Sequence, residues 1–162
     1  MAKVYLSIGS NVGNKLINMK KAITSIKKNL RVTKISPIYK TEPVGYKKQD
    51  WFLNCAVEAE TDMEPFKLLS FLKSIEKRLK RKKVFRYGPR TMDIDIIFYG
   101  DKILKSGKLV IPHPRMHRRL FVLEPLSRIS PNFVHPEYKK TIEELKNKLK
   151  SKKEVRLHSE KI

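Results

Sequence analysis

Strand and helix patterns alternate along this chain in an order that few small folds accommodate. The patterns predict strands at residues 3–9, 31–39, 51–59 and 92–99. Two stretches with apolar residues at helical spacing lie between them, from Leu16 to Leu30 and from Leu68 to Leu79. The order strand, helix, strand, strand, helix, strand is the split βαββαβ pattern of ferredoxin-like α+β folds. In such a fold both helices lie on one sheet face, which leaves the other face and its loops free for a site.

The remaining residues predict C-terminal helical additions to this sheet. Gly100-Asp101 indicates a turn, residues 109–111 a short strand, and residues 115–128 a helix that Pro125 kinks or ends. Capping-box patterns at 61–64 and 141–144 predict the starts of two helices, the second running to about residue 150. Pro37 predicts an edge or a bulge in the second strand. We expect one domain over residues 1–162, with a loosely held polar tail at 151–162.

The charge of the chain is strongly positive. It has 37 Lys and Arg residues against 16 Asp and Glu residues, a net charge of +21. Such an excess attracts polyanions and speeds their association. A nucleic acid, an anionic membrane surface and a polyphosphate ligand each fit, and the charge does not choose among them.

The apolar segments and the single cysteine favour a cytoplasmic protein. No stretch approaches the roughly 20 apolar residues that span a bilayer, and the N-terminal apolar run is too short for a signal peptide. Cys55 is the single cysteine and cannot form an internal disulfide. Its apolar neighbours favour a small core residue over a catalytic thiol.

Two aspartates lie on one face of the fourth predicted strand. Asp93 and Asp95 are two residues apart, so both side chains point to the same side, and Met92, Ile94, Ile96 and Phe98 are expected to point to the other side, toward the core. Two neighbouring carboxylates repel unless a cation lies between them, and Mg²⁺ typically takes one or two carboxylates together with substrate phosphates. From this pair alone, surface aspartates that balance nearby lysines are the better explanation.

A run of basic residues directly before this pair favours metal ligands over surface aspartates. Between residues 73 and 90 there are nine Lys or Arg residues and one acid, Glu76. Polyphosphate bound through magnesium calls for this combination, because carboxylates hold the metal while basic side chains neutralise the remaining phosphate charge. A nucleic-acid binder needs the basic run but gains nothing from paired carboxylates in front of the phosphates.

The sequence around the two aspartates also resembles a known family. Residues 86–97, Arg-Tyr-Gly-Pro-Arg-Thr-Met-Asp-Ile-Asp-Ile-Ile, closely match the signature of the 6-hydroxymethyl-7,8-dihydropterin pyrophosphokinases of folate biosynthesis. Further landmarks occur in the family's order, and the resemblance covers roughly residues 3 to 135. They are Gly9-Ser10-Asn11, Tyr39-Lys40-Thr41-Glu42-Pro43-Val44-Gly45, Phe52-Leu53-Asn54, His113-Pro114-Arg115-Met116, Arg119, Phe121-Val122-Leu123 and Pro125-Leu126.

The resemblance implies a ferredoxin-like fold and a transfer of pyrophosphate. ATP would give its β,γ-pyrophosphoryl unit to the pterin hydroxymethyl group, leaving AMP and the pterin pyrophosphate. Asp93 and Asp95 would be catalytic residues that hold two Mg²⁺ ions with ATP. Arg81 and Arg90 would be the other catalytic residues, and Arg81 would lie in a loop that closes over the site.

The same resemblance implies two groups of binding residues. Phe52 and Phe121 would stack on the two faces of the pterin ring, and Asn54 would pair with its amide edge; taken singly, each phenylalanine fits a core position equally well. The expected pterin-binding residues are Thr41, Pro43, Val44, Phe52, Asn54 and Phe121. The expected ATP-binding residues are Glu76, Lys83, Tyr87, Arg90, Ile96, Lys108, His113 and Arg119.

The chain departs from the family pattern mainly in the loop expected to cover the site. Relatives commonly have Gly-Arg-x-Arg where this chain has Lys80-Arg81-Lys82-Lys83, so one guanidinium fork is replaced by an ammonium. Tyr87 occupies a position where Trp is frequent, and Lys73 one where Gln occurs. Val110 replaces a polar residue that often contacts the nucleotide. These departures bear on loop behaviour and ATP affinity rather than on the reaction.

Two other functions are carried as alternatives. A basic nucleic-acid-binding module would use the positive run, and a catalytically inactive relative would use the fold as a scaffold. The two intact aspartates argue against the second. We expect ATP and the pterin alcohol as partners, no specific nucleic acid, no membrane, and a monomer.

Overall fold

The computed structural model describes residues 1–43, 48, 50–79, 92–150, 155–159 and 162. Its strands are β1 (Ala2–Ser10), β2 (Arg31–Ile35), β3 (Ile38–Thr41), β4 (Phe52–Thr61), β5 (Asp93–Tyr99), β6 (Leu104–Lys105), β7 (Val110–Ile111) and β8 (Val155–Ser159). Its helices are α1 (Lys15–Lys27), α2 (Pro65–Arg78), α3 (Leu120–Ile129) and α4 (Ile142–Lys148), with a 3₁₀ turn at Met116–Arg118.

The main sheet is antiparallel and runs in the order β5-β1-β4-β3-β8, with β2 also paired to β4. Because β2 and β3 both lie against β4, they occupy the place of one broken strand. The order of the first four sheet positions is that of the split βαββαβ pattern, so the predicted ferredoxin-like α+β fold is confirmed. A separate two-stranded ladder joins β6 to β7.

Helices cover both faces of the sheet, which divides the core into two clusters. On the first face, α1 and α2 bury alternate residues of the central strands such as Leu6 and Val57. On the second face, α3 and α4 pack on Tyr5, Ala56 and Phe98. Each such fully buried large side chain contributes about 1.5–3 kcal/mol. The expectation that the second face would be free is therefore corrected, because α3 and α4 cover part of it.

A register shift in β5 decides which side chains reach each face. Leu6 lies opposite Ile96 and Tyr5 opposite Phe98, so Ile97 is an extra residue on β5. Beyond this point the alternation changes phase. Phe98 was expected to share a face with Ile94 and Ile96, but it lies in the second cluster instead.

Pro37 divides the predicted second strand in two. The preceding Ser36 takes over the contact with β4, since its N–H donates to the Ala56 carbonyl and its hydroxyl accepts from the Ala56 N–H. The single strand expected at 31–39 is thus β2 and β3, in keeping with a proline that cannot donate to the ladder.

The helix starts were predicted with mixed success. α2 is capped by Glu64, whose carboxylate accepts from the N–H groups of Phe66 and Lys67, and Thr61 is the last residue of β4. The capping box at Thr141 and Glu144 is confirmed. The helix expected at 115–128 is a 3₁₀ turn followed by α3, which continues past Pro125 to Ile129.

The C-terminal segment contains a strand that the sequence did not predict. Val155–Ser159 pairs antiparallel with β3, which corrects the expectation of a loosely held tail for these five residues. Among the described residues, no helix is long and apolar enough to cross a membrane.

A buried hydrogen-bond network joins strands β1, β2 and β4 to the residue that follows α3. The Tyr5 hydroxyl donates to Glu58 Oε2 at 2.7 Å and lies 2.8 Å from Ser130 Oγ. Thr33 Oγ1 donates to Glu58 Oε1 at 2.8 Å. Burial alone would raise the pKa of Glu58, but the hydrogen bonds from Tyr5 and Thr33 outweigh it, and the pKa lies below its ordinary 4.5. A carboxylate is therefore the native form of this buried group.

The network predicts a pH-dependent contribution to stability. Since the pKa of Glu58 is depressed in the folded state, its stabilisation is present above about pH 4.5 and is lost as the pH falls through the folded value. Glu58→Gln should lower the free energy of unfolding at pH 7 by about 1–3 kcal/mol and reduce the loss of stability between pH 7 and acid. Urea unfolding at several pH values measures both. Glu60→Gln on the same strand is the control, and an equal pH dependence in the two variants would contradict the role of Glu58.

Candidate active site

One cavity of about 400 Å³ lies at the end of the sheet's second face that α3 and α4 leave open. It continues around β5, the edge strand, to residues of α2 and of the β7 region. Its lining combines acidic, basic, amide and aromatic side chains. The residues that line the cavity are Ser7, Gly9, Thr41, Glu42, Phe52, Asn54, Leu69, Lys73, Glu76, Asp93, Ile94, Asp95, Ile96, Gly107, Lys108, Leu109, Val110, His113, Pro114, Arg115, Arg119 and Phe121.

The two aspartates reach this cavity together, as their spacing predicted. Asp93 lies opposite Gly9 and Asp95 opposite Ser7, so both carboxylates are on the second face and neither shares the packed first face with Ile94. A separation of two residues sets their Cα atoms about 6–7 Å apart. The described part of the chain contains no group of three or more His, Cys, Asp or Glu side chains that could hold a metal. Two carboxylates suit a Mg²⁺ ion whose other ligands are phosphate oxygens and water.

Asn54 and Thr41 form the neighbouring wall. Both are buried, at 4% and 2% exposure, and the Asn54 amide donates to Thr41 Oγ1. This bond holds the amide against the end of β3. Gly9 lies across the strand from Asn54, and a Cβ at that position would clash with Asn54 Oδ1. The absence of a side chain at Gly9 is therefore what lets the amide lie over the sheet.

Aromatic and cationic side chains complete the cavity. Phe52 and Phe121 are both half-buried in its lining. The Arg119 guanidinium carbon lies 5.5 Å from the centre of the Phe121 ring, within the range of a cation–π contact. Phe121 also packs on the edge of the second core cluster, so its position is set by the core as well as by the site.

His113 is held in one tautomer and without charge. Its backbone N–H donates to the Ile97 carbonyl at 3.0 Å, and its Nδ1 accepts from the Arg115 N–H at 3.2 Å. The ring proton is therefore on Nε2. Burial, together with the nearby charges of Arg119 and Arg115, lowers the pKa of His113 to about 4 against the opposing effect of Asp93. At neutral pH the ring offers one neutral N–H donor.

Glu76 is buried between α2 and β5. Its Oε2 accepts from the Ile94 N–H at 2.7 Å, which satisfies a backbone donor on the outer edge of β5. The residue also lines the cavity, next to the acidic pair. Glu76 therefore connects the helix α2 to the strand that carries Asp93 and Asp95.

The structure brings together most of the residues predicted for the site. Eleven of them line the one cavity. These are Thr41, Phe52, Asn54, Glu76, Asp93, Asp95, Ile96, Lys108, His113, Arg119 and Phe121. Pro43 is buried but does not line it. The predicted residues Val44, Arg81, Lys83, Tyr87 and Arg90 lie outside the described residues.

Other lining residues were given no role from the sequence. Ser7 and Gly9 reach the site because β1 lies between β4 and β5, which the sequence alone did not establish. Lys73 precedes Glu76 by one helical turn, and this spacing is a signal that could have placed it at the cavity. Arg115 also lines the cavity and belongs to the His113 landmark, which is a signal that could have placed it there.

Comparison with known proteins shows the family of the chain. The model of the 7,8-dihydro-6-hydroxymethylpterin-pyrophosphokinase family matches residues 5–131. The 2-amino-4-hydroxy-6-hydroxymethyldihydropteridine pyrophosphokinase of Aquifex aeolicus is 41% identical over 146 residues, which is 90% of this chain and 91% of the relative. The folic acid synthesis protein FOL1 of Dictyostelium discoideum is 47% identical over 133 residues, 82% of this chain but only 20% of that protein.

A solved structure shows the same fold. The Plasmodium falciparum HPPK-DHPS A437G structure with STZ-DHP superimposes with a TM-score of 0.74 at 18% identity, over 91% of this chain and 45% of that one. Together with the sequence matches, the fold and the site define a diphosphotransferase. More particularly, the chain belongs to the 7,8-dihydro-6-hydroxymethylpterin-pyrophosphokinase family.

The close approach at Gly9 predicts that this position tolerates no side chain. Gly9→Ala should push Asn54 out of place and lower the free energy of unfolding by about 1–3 kcal/mol. Gly107→Ala is a matched control, because Gly107 lines the same cavity but a Cβ there meets nothing within 4 Å. Denaturant unfolding of the two variants measures the difference. Equal stability of both variants would contradict the packing of Gly9 against Asn54.

Proposed function

We propose that this protein transfers the β,γ-pyrophosphoryl group of ATP to the hydroxymethyl group of 6-hydroxymethyl-7,8-dihydropterin. The pterin oxygen forms a bond to the β-phosphorus, the bond from that phosphorus to the α-phosphate oxygen breaks, and AMP leaves. The alcohol proton is released. The observation that carries the proposal is that the acidic pair, the basic side chains and an amide-and-aromatic wall all open into one cavity.

The wall at Asn54 suits a flat heterocycle with an amide edge. The buried amide offers a donor and an acceptor side by side, and the hydrogen bond to Thr41 holds its orientation. Phe52 and Phe121 supply apolar faces for stacking. Recognition of an amide edge by a buried amide is selective, because a ligand without that edge would leave the Asn54 group unpaired. Pro43 and Val44 stay predictions for this pocket.

The part of the cavity lined by basic side chains suits a nucleoside triphosphate. Arg119 and Arg115 provide guanidinium groups for phosphate oxygens, and His113 provides a neutral Nε2–H donor. Lys108 adds a fourth basic side chain, and Ile96 adds an apolar contact for the base. Lys73 and Glu76 line the part of this region formed by α2.

Asp93 and Asp95 would hold two Mg²⁺ ions with ATP. When bound, Mg²⁺ neutralises phosphate charge and lowers the pKa of an alcohol that it contacts. Both carboxylates line the same cavity as the amide wall and the basic side chains, so metal ions held there would be within reach of both substrates. No strong general base is required by this arrangement, and either aspartate could accept the proton.

The remaining expectations stay part of the proposal. Arg81 and Arg90 would act as catalytic residues, with Lys83 and Tyr87 as further nucleotide contacts, in a loop that excludes water. We also propose a cytoplasmic monomer without a specific nucleic-acid partner. The buried, unpaired thiol of Cys55 supports a chain that needs no disulfide.

The deciding experiment measures the nucleotide product. The protein is incubated with ATP, Mg²⁺ and the pterin alcohol, and AMP and ADP are separated by chromatography. We expect AMP together with the pterin pyrophosphate, and no turnover in the presence of EDTA. ADP as the product would indicate an ordinary kinase, and salt-dependent RNA or DNA binding without turnover would favour the nucleic-acid alternative.

Neutralising one member of the acidic pair should remove most of the activity. Asp95→Asn keeps the shape of the side chain but halves the negative charge of the pair, and AMP release should fall about a hundredfold or more. Asp101→Asn in the exposed turn after β5 is the matched control and should keep full activity. Unchanged AMP release by Asp95→Asn would remove the basis of the metal assignment.

His113 should contribute a hydrogen bond rather than a charge. Because its pKa is lowered to about 4, the ring is neutral at all pH values above that and gains a proton only below it. His113→Gln should therefore lower kcat/KM for ATP by about tenfold while the shape of its pH profile between pH 6 and 8 stays the same. A break in the wild-type profile near pH 6.5 that is absent in His113→Gln would show that His113 acts as a cation.

A further inference from the structure

The C-terminal strand β8 lies beside the substrate pocket without lining it. It pairs with β3 in the register Thr41 to Val155 and Tyr39 to Leu157. On its other side β3 pairs with β4, where Thr41 lies opposite Phe52. The four residues of β3 are thus held between two strands, one of which carries Phe52 and Asn54. The family match ends at residue 131, well before β8 begins.

The side chains of β8 contribute little to the core. Its three central residues are exposed, and Leu157 is 50% exposed. The strand therefore buries little apolar surface, and its main connection to the rest of the protein is the backbone ladder with β3 together with contacts to α3. A strand of this kind restricts the position of its neighbour more than it stabilises the whole fold.

By holding β3, the strand β8 also fixes Thr41, which lines the substrate pocket. Thr41 is the last residue of β3, and its hydroxyl accepts the amide proton of Asn54. Movement of Thr41 would release the Asn54 amide, which then could turn over or point elsewhere. Without β8, β3 would be an edge strand held from one side only.

A second contact acts on Trp51, the residue directly before Phe52. The Arg156 guanidinium carbon lies 5.4 Å from the centre of the Trp51 ring, and Lys40 Nζ lies 5.6 Å from it. The Trp51 carbonyl accepts a hydrogen bond from Lys15 Nζ at 2.9 Å. Trp51 is thus tied to β8, β3 and α1 at the point where β4 begins.

We propose that β8 is a positioning element for the pterin pocket, which it orders by fixing Thr41 and Trp51 and, through them, Asn54 and Phe52. The proposal rests on the proposed function for the identity of the ligand. It assigns β8 an effect on pterin binding alone, because the nucleotide end of the cavity is formed by α2, β5 and residues 107–119, which β8 does not pair with.

The test compares the intact chain with a chain that lacks residues 151–162. The shortened protein should show a rise of about tenfold in KM for the pterin, with kcat at saturating pterin and KM for ATP within about twofold of the intact values. A general loss of stability would not produce this separation. An unchanged KM for the pterin, or equal changes in all three constants, would overturn the proposal.

A double-mutant cycle tests the route through Thr41. Thr41→Val removes the acceptor of the Asn54 amide proton and keeps the shape of the side chain. If β8 acts mainly through Thr41, removing residues 151–162 from the Thr41→Val protein should add little to the rise in KM that Thr41→Val causes alone. Full additivity of the two changes would overturn this route.

A full-length variant keeps the test valid if the shortened chain does not fold. Arg156→Gln removes the cation beside Trp51, and Lys150→Gln removes one charge before the strand. We expect about a threefold rise in KM for the pterin from Arg156→Gln alone. Identical constants in the two variants would overturn the proposal.

The proposed reaction and the role of β8 can fail separately. AMP release by the intact chain tests the reaction. Pterin affinity, measured in the presence of a non-hydrolysable ATP analogue by the fluorescence of Trp51, the single tryptophan of the chain, tests β8 without turnover. Equal pterin affinity of the intact and shortened chains overturns the role of β8 even if AMP is released.

Discussion

The pairing of β1 with β4 on one side and β5 on the other is the interaction on which the site depends. Gly9 lies between Asn54 and Asp93 in this arrangement, and Ser7 lies between Ala56 and Asp95. Asn54 and Asp93, which the proposed function assigns to the pterin and to the metal and which are about 40 residues apart in sequence, are thereby set on one surface. A one-residue shift of the β1–β5 pairing would turn the aspartates into the core, and the same shift of the β1–β4 pairing would turn Asn54 to the opposite face. The register of β1 is therefore a condition for any chemistry here.

The second face of the sheet carries both polar site residues and core residues because the alternation of β5 shifts at Ile97. Before the extra residue, the second face carries Asp93 and Asp95; after it, the same face carries Phe98, which packs beneath α3 and α4. The Ile97 carbonyl also accepts a hydrogen bond from the His113 N–H, so the extra residue of β5 anchors the segment that brings His113 to the cavity. The extra residue Ile97 thus separates the polar site from the core and holds the segment that contains His113 against β5.

The sequence predicted much of this arrangement, and its errors have physical causes. The fold followed from the order of apolar patterns, and the pair at Asp93 and Asp95 followed from the two-residue period of a strand. The face of Phe98 was predicted wrongly because a strand's alternation is read as continuous, and the extra residue at Ile97 appears only when β1 is laid beside β5. Glu64 replaced Thr61 as the cap of α2 because β4 continues through Thr61. The strand β8 was missed because only Val155 and Leu157 of its five residues are apolar and its three central residues are exposed, so its pairing depends mainly on the backbone of β3.

The charge of the site is better understood from its local balance than from the net +21. The described cavity is lined by four acidic residues and four Lys or Arg residues, and a neutral His113 lies near Arg115 and Arg119. If His113 were protonated, it would add a third cation next to two guanidinium groups, and its burial opposes that charge. The cavity therefore carries its positive charge on Lys and Arg side chains and keeps a neutral donor at His113, where charge would be costly.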